Sequence, residues 1–251
     1  MIKVILSGCG GRMGKAVAAA VGNEVRIVAG VDVNAASIDA SDFPIYESIR
    51  EFSDKADVIV DFSHHSALPS LLDYAKATKT PVVVATTGHT DEELALMREA
   101  AKSVAIFHSG NFSIGINLII NLAKQAARTL GADFDIEIIE KHHNKKLDAP
   151  SGTALMIANA VADERNESEY IYDRHSVRKA REPKEIGIHS VRGGSIVGEH
   201  EVIFAGANEV VSISHSAASR EIFANGALRA AIYLADKSAG LYSMTDLIEG
   251  K

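Results

Sequence analysis

The sequence predicts an α/β fold: a doubly wound parallel sheet joined to a second α+β domain with a mixed sheet. Three observations predict it. Val- and Ile-rich runs alternate with helical patterns through the first half, a glycine-rich turn follows the first run directly, and beyond residue 113 polar and apolar positions begin to alternate.

Residues 3–7, 25–31, 58–62, 81–85 and 104–107 are apolar at consecutive positions, as in strands covered by helices on both faces. The stretches between them, 13–21, 68–77 and 91–102, fit helices, the last opening with Thr90 as N-cap and Glu93 three residues on. Strands separated by helices pair in parallel. A long amphipathic stretch then covers 116–130, and 135–140 alternates as a half-exposed strand does. Residues 185–191, 195–204 and 209–214 alternate in the same way and are separated by Gly193-Gly194 and Gly206-Ala207-Asn208, which predicts antiparallel or mixed strands. The helical face over 220–237 is expected to return to the first domain, so that 1–112 with 217–251 forms one domain and 113–216 the other.

Composition narrows the function. A length of 251 residues, 47% of them hydrophobic, supports a substantial core and excludes a disordered chain. The net charge of −7 argues against a protein built to neutralise phosphate backbones, so no nucleic-acid partner is expected. The single cysteine, Cys9, excludes an intrachain disulfide framework and a Cys-based zinc site, and fits a reducing, cytoplasmic setting. The apolar start over residues 1–6 is too short for a signal segment or a membrane span, so no membrane partner is expected.

The turn Gly8-Cys9-Gly10-Gly11-Arg12-Met13-Gly14 lies between the first strand and the first helix, the context in which a glycine fingerprint signifies a Rossmann-type dinucleotide site. Gly8 suits the tight turn, Gly10 and Gly11 allow backbone N–H groups close to a pyrophosphate, and Gly14 allows close helix–sheet packing. The spacing is a variant, with the third glycine one place later than usual. Asp32, at the end of the second strand, is placed to accept hydrogen bonds from ribose hydroxyls. Neither Val33 nor Asn34 adds positive charge for a 2′-phosphate, which favours NADH, while Arg12 keeps NADPH open. The alternatives are a turn that serves geometry alone, an Asp32 that is a surface carboxylate, and a Cys9 that is either a small filler or a thiol near the cofactor.

Residues 140–154 are the densest titratable run, where a strand gives way through Pro150 to a helical stretch beginning near Ala154. Backbone N–H groups of Gly152 and Thr153, with the Thr153 hydroxyl, suit a carboxylate. A histidine with a lysine a few residues on supplies a proton donor and a fixed cation for an anionic substrate. A metal is disfavoured: adjacent histidines do not share a helix face, and Lys145 and Lys146 repel a cation. A solvated basic loop is the other reading of these spacings. Serine hydrolase chemistry is set aside, since Ser63 beside His64 lacks a nucleophile elbow.

The chain resembles the bacterial 4-hydroxy-tetrahydrodipicolinate reductases, also called dihydrodipicolinate reductases, of diaminopimelate and lysine biosynthesis. The resemblance rests on the turn at 8–14, Asp61-Phe62-Ser63, Ala85-Thr86-Thr87-Gly88, residues 111–117, the run 142–153 as the most specific, residues 192–200, and Ser219-Arg220. It implies hydride transfer from NADH or NADPH to the unsaturated ring of a cyclic dicarboxylate. By the same resemblance His142 is the acid, Lys146 stabilises developing charge and assists protonation, and His143, Gly152 and Thr153 hold substrate carboxylates. The nicotinamide half lies along Ala85, Thr86 and Thr87 and along Ser109, Gly110, Asn111 and Phe112. The second domain closes over the cofactor on a hinge flanking Phe112 and Arg220 and mediates a homotetramer. Two departures stand out: Ala85 replaces a glycine common in the family, and Asn144 and Lys145 replace bulkier residues. The other histidines read as structural or surface groups. An NAD-sensing protein without catalysis, and an amino-acid or imine dehydrogenase sharing the cofactor half, are the competing readings.

Overall fold

The computed structural model describes residues 1–38 and 42–250. The chain forms two compact units, Met1–Ile114 with Glu221–Lys251, and Gly115–Arg220.

In the first unit the strands are β1 (Ile2–Ser7), β2 (Val25–Val31), β3 (Ile45–Tyr46), β4 (Val58–Asp61), β5 (Val82–Val84) and β6 (Ala105–His108), with β12 (Gly240–Tyr242) added late in the chain. All pairings are parallel, in the order β12-β6-β5-β4-β1-β2-β3. The helices are α1 (Arg12–Ala19), α2 (Leu68–Thr78), α3 (Asp91–Ala100), α6 (Glu221–Leu234) and α7 (Met244–Glu249). Val4 and Leu6 point into one core with Val58, Val60 and Val83, beneath α1 and α6. Ile5, Ile59, Val82 and Val84 point into a second core beneath α2 and α3. Because both faces are buried, apolar side chains are needed at every position, and this is why the strands read as unbroken apolar runs. Thr90 and Glu93 form the expected reciprocal cap of α3, with Thr90 N–H donating to Glu93 (2.9 Å) and Glu93 N–H to Thr90 Oγ1 (3.2 Å). The strand order reverses between β1 and β4, which opens a crevice at their carboxyl ends, where the glycine turn lies.

The second unit holds α4 (Ile114–Leu130), which starts at the unit boundary, β7 (Asp135–His142), α5 (Gly152–Ala162), β8 (Glu169–Ile171), β9 (Glu185–Arg192), β10 (Gly198–Ala205) and β11 (Val210–Ala217). The sheet is mixed, in the order β11-β10-β7-β9-β8, with β9 parallel to β7 and β8 and β10 antiparallel to β7 and β11. Ile136, Ile138, Ile186, Ile188, Val202 and Phe204 form its buried face against α4 and α5. Only one face is covered by these helices, so here the strands alternate.

The sequence pattern does not mark β3, β8, β12 or α7, which are two to six residues long and too short to carry a periodicity. The strand expected from residue 195 begins at Gly198, because the preceding residues belong to a turn in which Gly193 N–H bonds the His142 carbonyl.

Candidate active site

The glycine turn is built by close approach. Gly8 has φ +76°, and a Cβ there would meet the Phe62 carbonyl oxygen at 2.5 Å. A Cβ on Gly14 would run into the Gly8 carbonyl oxygen, so α1 sits against the turn only because residue 14 carries no side chain. Gly10 N–H donates to Asp32 Oδ2 (3.0 Å) and Asn34 N–H to Oδ1 (3.0 Å), which fixes the carboxylate beside the turn.

Two cavities flank this turn. One, of about 640 Å³, is lined by Gly11, Arg12, Met13, Ala85, Thr86, Thr87, Ser109, Gly110, Asn111 and Phe112, together with Phe62, Ser63, His64, His65 and Phe223. The other, of about 510 Å³, is lined by Gly8, Gly11, Asp32, Val33 and residues of the segment after β4. Cys9 and Gly10 line neither. Cys9 is buried in the core, and burial, followed by the Asp32 charge, pushes its thiol up, so it acts as a small filler. Beneath the first cavity the buried Asp61 accepts from Thr86 Oγ1 (2.7 Å) and Ser63 Oγ (2.6 Å), pinning two lining side chains. A cradle that a Cβ would fill, an open helix N-terminus and a fixed carboxylate fit a dinucleotide.

In the second unit the buried face of the sheet changes character at one end. Along β7 it runs Ile136, Ile138, Glu140, His142; along β9 Ile186, Ile188, Ser190, Arg192; along β10 Phe204, Val202, His200, Gly198. Register sets His200 and Ser190 beside Glu140 and Arg192 beside His142. Glu140 is fully buried, and both oxygens are engaged. Oε1 accepts from Arg192 Nη2 (2.7 Å) and Ser151 N–H (3.1 Å), and Oε2 from Arg192 Nη1 (2.8 Å) and His142 Nδ1 (2.5 Å). Burial favours the neutral acid, yet the donors Arg192, Ser190 and His142 overcome it and hold the carboxyl at about 2. Burial, then the neighbouring His142, lower His200 to about 4; its Nε2 lies 3.1 Å from Ser151 Oγ.

The remaining sequence-marked groups lie on the loop after β7. Lys146 Nζ pairs with Asp148 Oδ1 at 3.0 Å, and His143 Nε2 lies 3.4 Å from Arg220 Nη2. Ser151 caps α5, its Oγ accepting from Ala154 N–H (3.1 Å), so Gly152 and Thr153 open the helix as its first turn. Sequence reading passes over Glu140, Ser151 and the contact of Arg220 with His143. The signal for Glu140 was present: a charged residue at the strand parity otherwise filled by isoleucine. Among the described residues no group of His, Cys, Asp and Glu side chains is suited to hold a metal ion, and no helix is long and apolar enough to cross a membrane.

A parallel sheet with a glycine cradle at its switch point, together with a second unit carrying a clamped histidine and a capped helix N-terminus, defines a two-domain nicotinamide-dependent oxidoreductase. Comparison with known proteins narrows the class. The pattern of dihydrodipicolinate reductase, N-terminus, matches residues 2–112, and that of its C-terminus matches 115–248. The 4-hydroxy-tetrahydrodipicolinate reductase of Caldanaerobacter subterraneus subsp. tengcongensis is 54% identical, covering 99% of each chain. That of Clostridium novyi is 51% identical over the whole of both chains. The chain belongs to the dihydrodipicolinate reductase family. Among solved structures, dipicolinate-bound dihydrodipicolinate reductase from Paenisporosarcina sp. TG-14 superposes with a TM-score of 0.79 at 26% identity, covering 97% of each chain. The C. glutamicum DAP dehydrogenase in complex with DAP shares the fold alone, with a TM-score of 0.57 at 13% identity over 97% of this chain and 92% of its own.

Proposed function

We propose that the chain reduces 4-hydroxy-tetrahydrodipicolinate to tetrahydrodipicolinate, with the first unit holding the nicotinamide cofactor and the second supplying the proton and the carboxylate contacts. The observation that carries this reading is His142 at the polar end of the sheet, clamped through Glu140 to the residue that caps α5. Bound in the cradle of the first unit, the reduced nicotinamide supplies the hydride.

His142 protonates the ring carbon next to the one reduced. Lys146, paired with Asp148 on the same loop, stabilises the negative charge that develops and assists protonation. His143, the Gly152 and Thr153 N–H groups and the Thr153 hydroxyl hold the carboxylates at the N-terminus of α5. In the first unit, Gly8, Gly11, Arg12 and Met13 contact the pyrophosphate side of the cofactor, while Cys9 and Gly10, which line neither cavity, shape the turn that carries them. Ala85, Thr86, Thr87, Ser109, Gly110, Asn111 and Phe112 border its nicotinamide half. Asp32 binds the ribose diol, and its charge beside the turn supports NADH over NADPH. A homotetramer through the second unit is supported by β11, whose Val210, Ser212, Ser214 and Ser216 are exposed on the face away from α4 and α5.

NADH oxidation measured with freshly generated synthase product and with simple keto acids tests the reading. Turnover is expected with the cyclic dicarboxylate alone, and equal turnover of a keto acid would overturn it. His142→Gln is expected to lower turnover ~10²-fold or more with NADH affinity near wild type. An unchanged rate would remove His142 from the chemistry.

A further inference from the structure

The motif over residues 192–200 is used by neither the cofactor cradle nor the carboxylate contacts, yet it surrounds His142. Arg192 grips Glu140 with two parallel hydrogen bonds of 2.7 and 2.8 Å. Gly193 N–H bonds the His142 carbonyl at 2.9 Å, and His200 packs edge-on to the His142 ring at 5.3 Å between centroids. Gly198 faces the ring directly, and a Cβ there would stand 3.1 Å from His142 Nε2.

We propose that Glu140 is a positioning residue for the reaction: clamped by Arg192 and the Ser151 N–H, it fixes His142 as the Nδ1–H tautomer, leaves Nε2 as the proton-carrying atom, and holds the imidazolium that donates. The proposal rests on His142 being the acid. Its physical basis is an inventory of donors and acceptors. A carboxylate has about four lone-pair sites and no proton to give, and at least four donors crowd them here. At 2.5 Å from such an oxygen, Nδ1 must carry the hydrogen. Nε2 is then an acceptor in the neutral ring and a donor only in the charged one, the state that delivers a proton. The glycine at 198 keeps the space in front of Nε2 clear of a side chain.

The charged and titratable groups around the pair are Arg192 from β9, His200 from β10, His215 from β11 beyond it, and Lys146 and Asp148 from the loop. Arg192 is committed to Glu140, and its Nη2 also bonds the Asp148 carbonyl at 2.7 Å. Glu140 is therefore the carboxylate in direct contact with the His142 ring, and Arg192 and Lys146 are the cations around the pair. An amide in place of the carboxylate can present its NH2 to Nδ1, so the ring loses the contact that fixes its tautomer.

In steady-state kinetics with NADH and the cyclic dicarboxylate, Glu140→Gln is expected to lower kcat roughly 10- to 100-fold with a much smaller change in KM. In a His142→Gln background the same change should cost almost nothing further, because Glu140 acts through the ring. An equal further loss in the double variant, or a loss carried by KM rather than kcat, overturns the proposal. A His142→Gln enzyme with wild-type turnover instead overturns the acid assignment on which it rests. Should Glu140→Gln not fold, 15N spectra of histidine-labelled wild-type protein read the tautomer directly. A neutral His142 protonated on Nδ1 supports the proposal, and one protonated on Nε2 refutes it.

Discussion

Protonating His200 is expected to destabilise the second unit, and the cost follows from its surroundings. The residue is 5% exposed, and Nδ1 has no hydrogen-bond partner among the described residues. Burial and then the nearby His142 lower it from 6.5 to about 4, with His215 and Lys146 adding to the effect and Glu140 opposing it. In the unfolded chain the ring binds its proton at the ordinary value. Between pH 6.5 and about 4 the unfolded state therefore holds more protons than the folded one, and stability is lost as pH falls. Below about 4 both states carry the proton and the loss is complete, at about 3 kcal/mol in all. Urea unfolding of wild type and His200→Gln, followed by far-UV circular dichroism since the chain has no tryptophan, reads this between pH 7.5 and 4. Carboxylates that titrate at the lower end affect both proteins equally, so the difference between the two isolates His200. Wild type should lose about 3 kcal/mol more than the variant across the window. A parallel decline of the two proteins would refute the reasoning.

Two further outcomes test the cofactor cradle. Gly14→Ala drives a Cβ into the Gly8 carbonyl, so either the turn or α1 must shift; a loss of about 1–3 kcal/mol in stability is expected, with NADH binding weakened at least ~10-fold in a fluorescence titration. Asp32→Asn keeps an oxygen for the Gly10 N–H but removes the charge from the ribose site. NADH affinity is expected to fall about 10-fold relative to NADPH, and an unchanged ratio of the two would show that Asp32 does not read the ribose.

The sequence alone determined the parallel sheet, the capped start of α3 and the strand–turn–helix context of the glycines, because each is a local pattern. Unbroken valine runs report two buried faces, and Thr90 with Glu93 reports a helix start, within a few residues of chain. The run from His142 to Thr153 stood out for the same reason: its unusual residues are contiguous. Only the tertiary structure decided what surrounds His142. Glu140, Arg192 and His200 come from three strands, and their convergence depends on β9 pairing parallel and β10 antiparallel with β7 in one register. Register between strands distant in sequence is fixed by packing of the whole sheet against α4 and α5, which no local window of sequence contains.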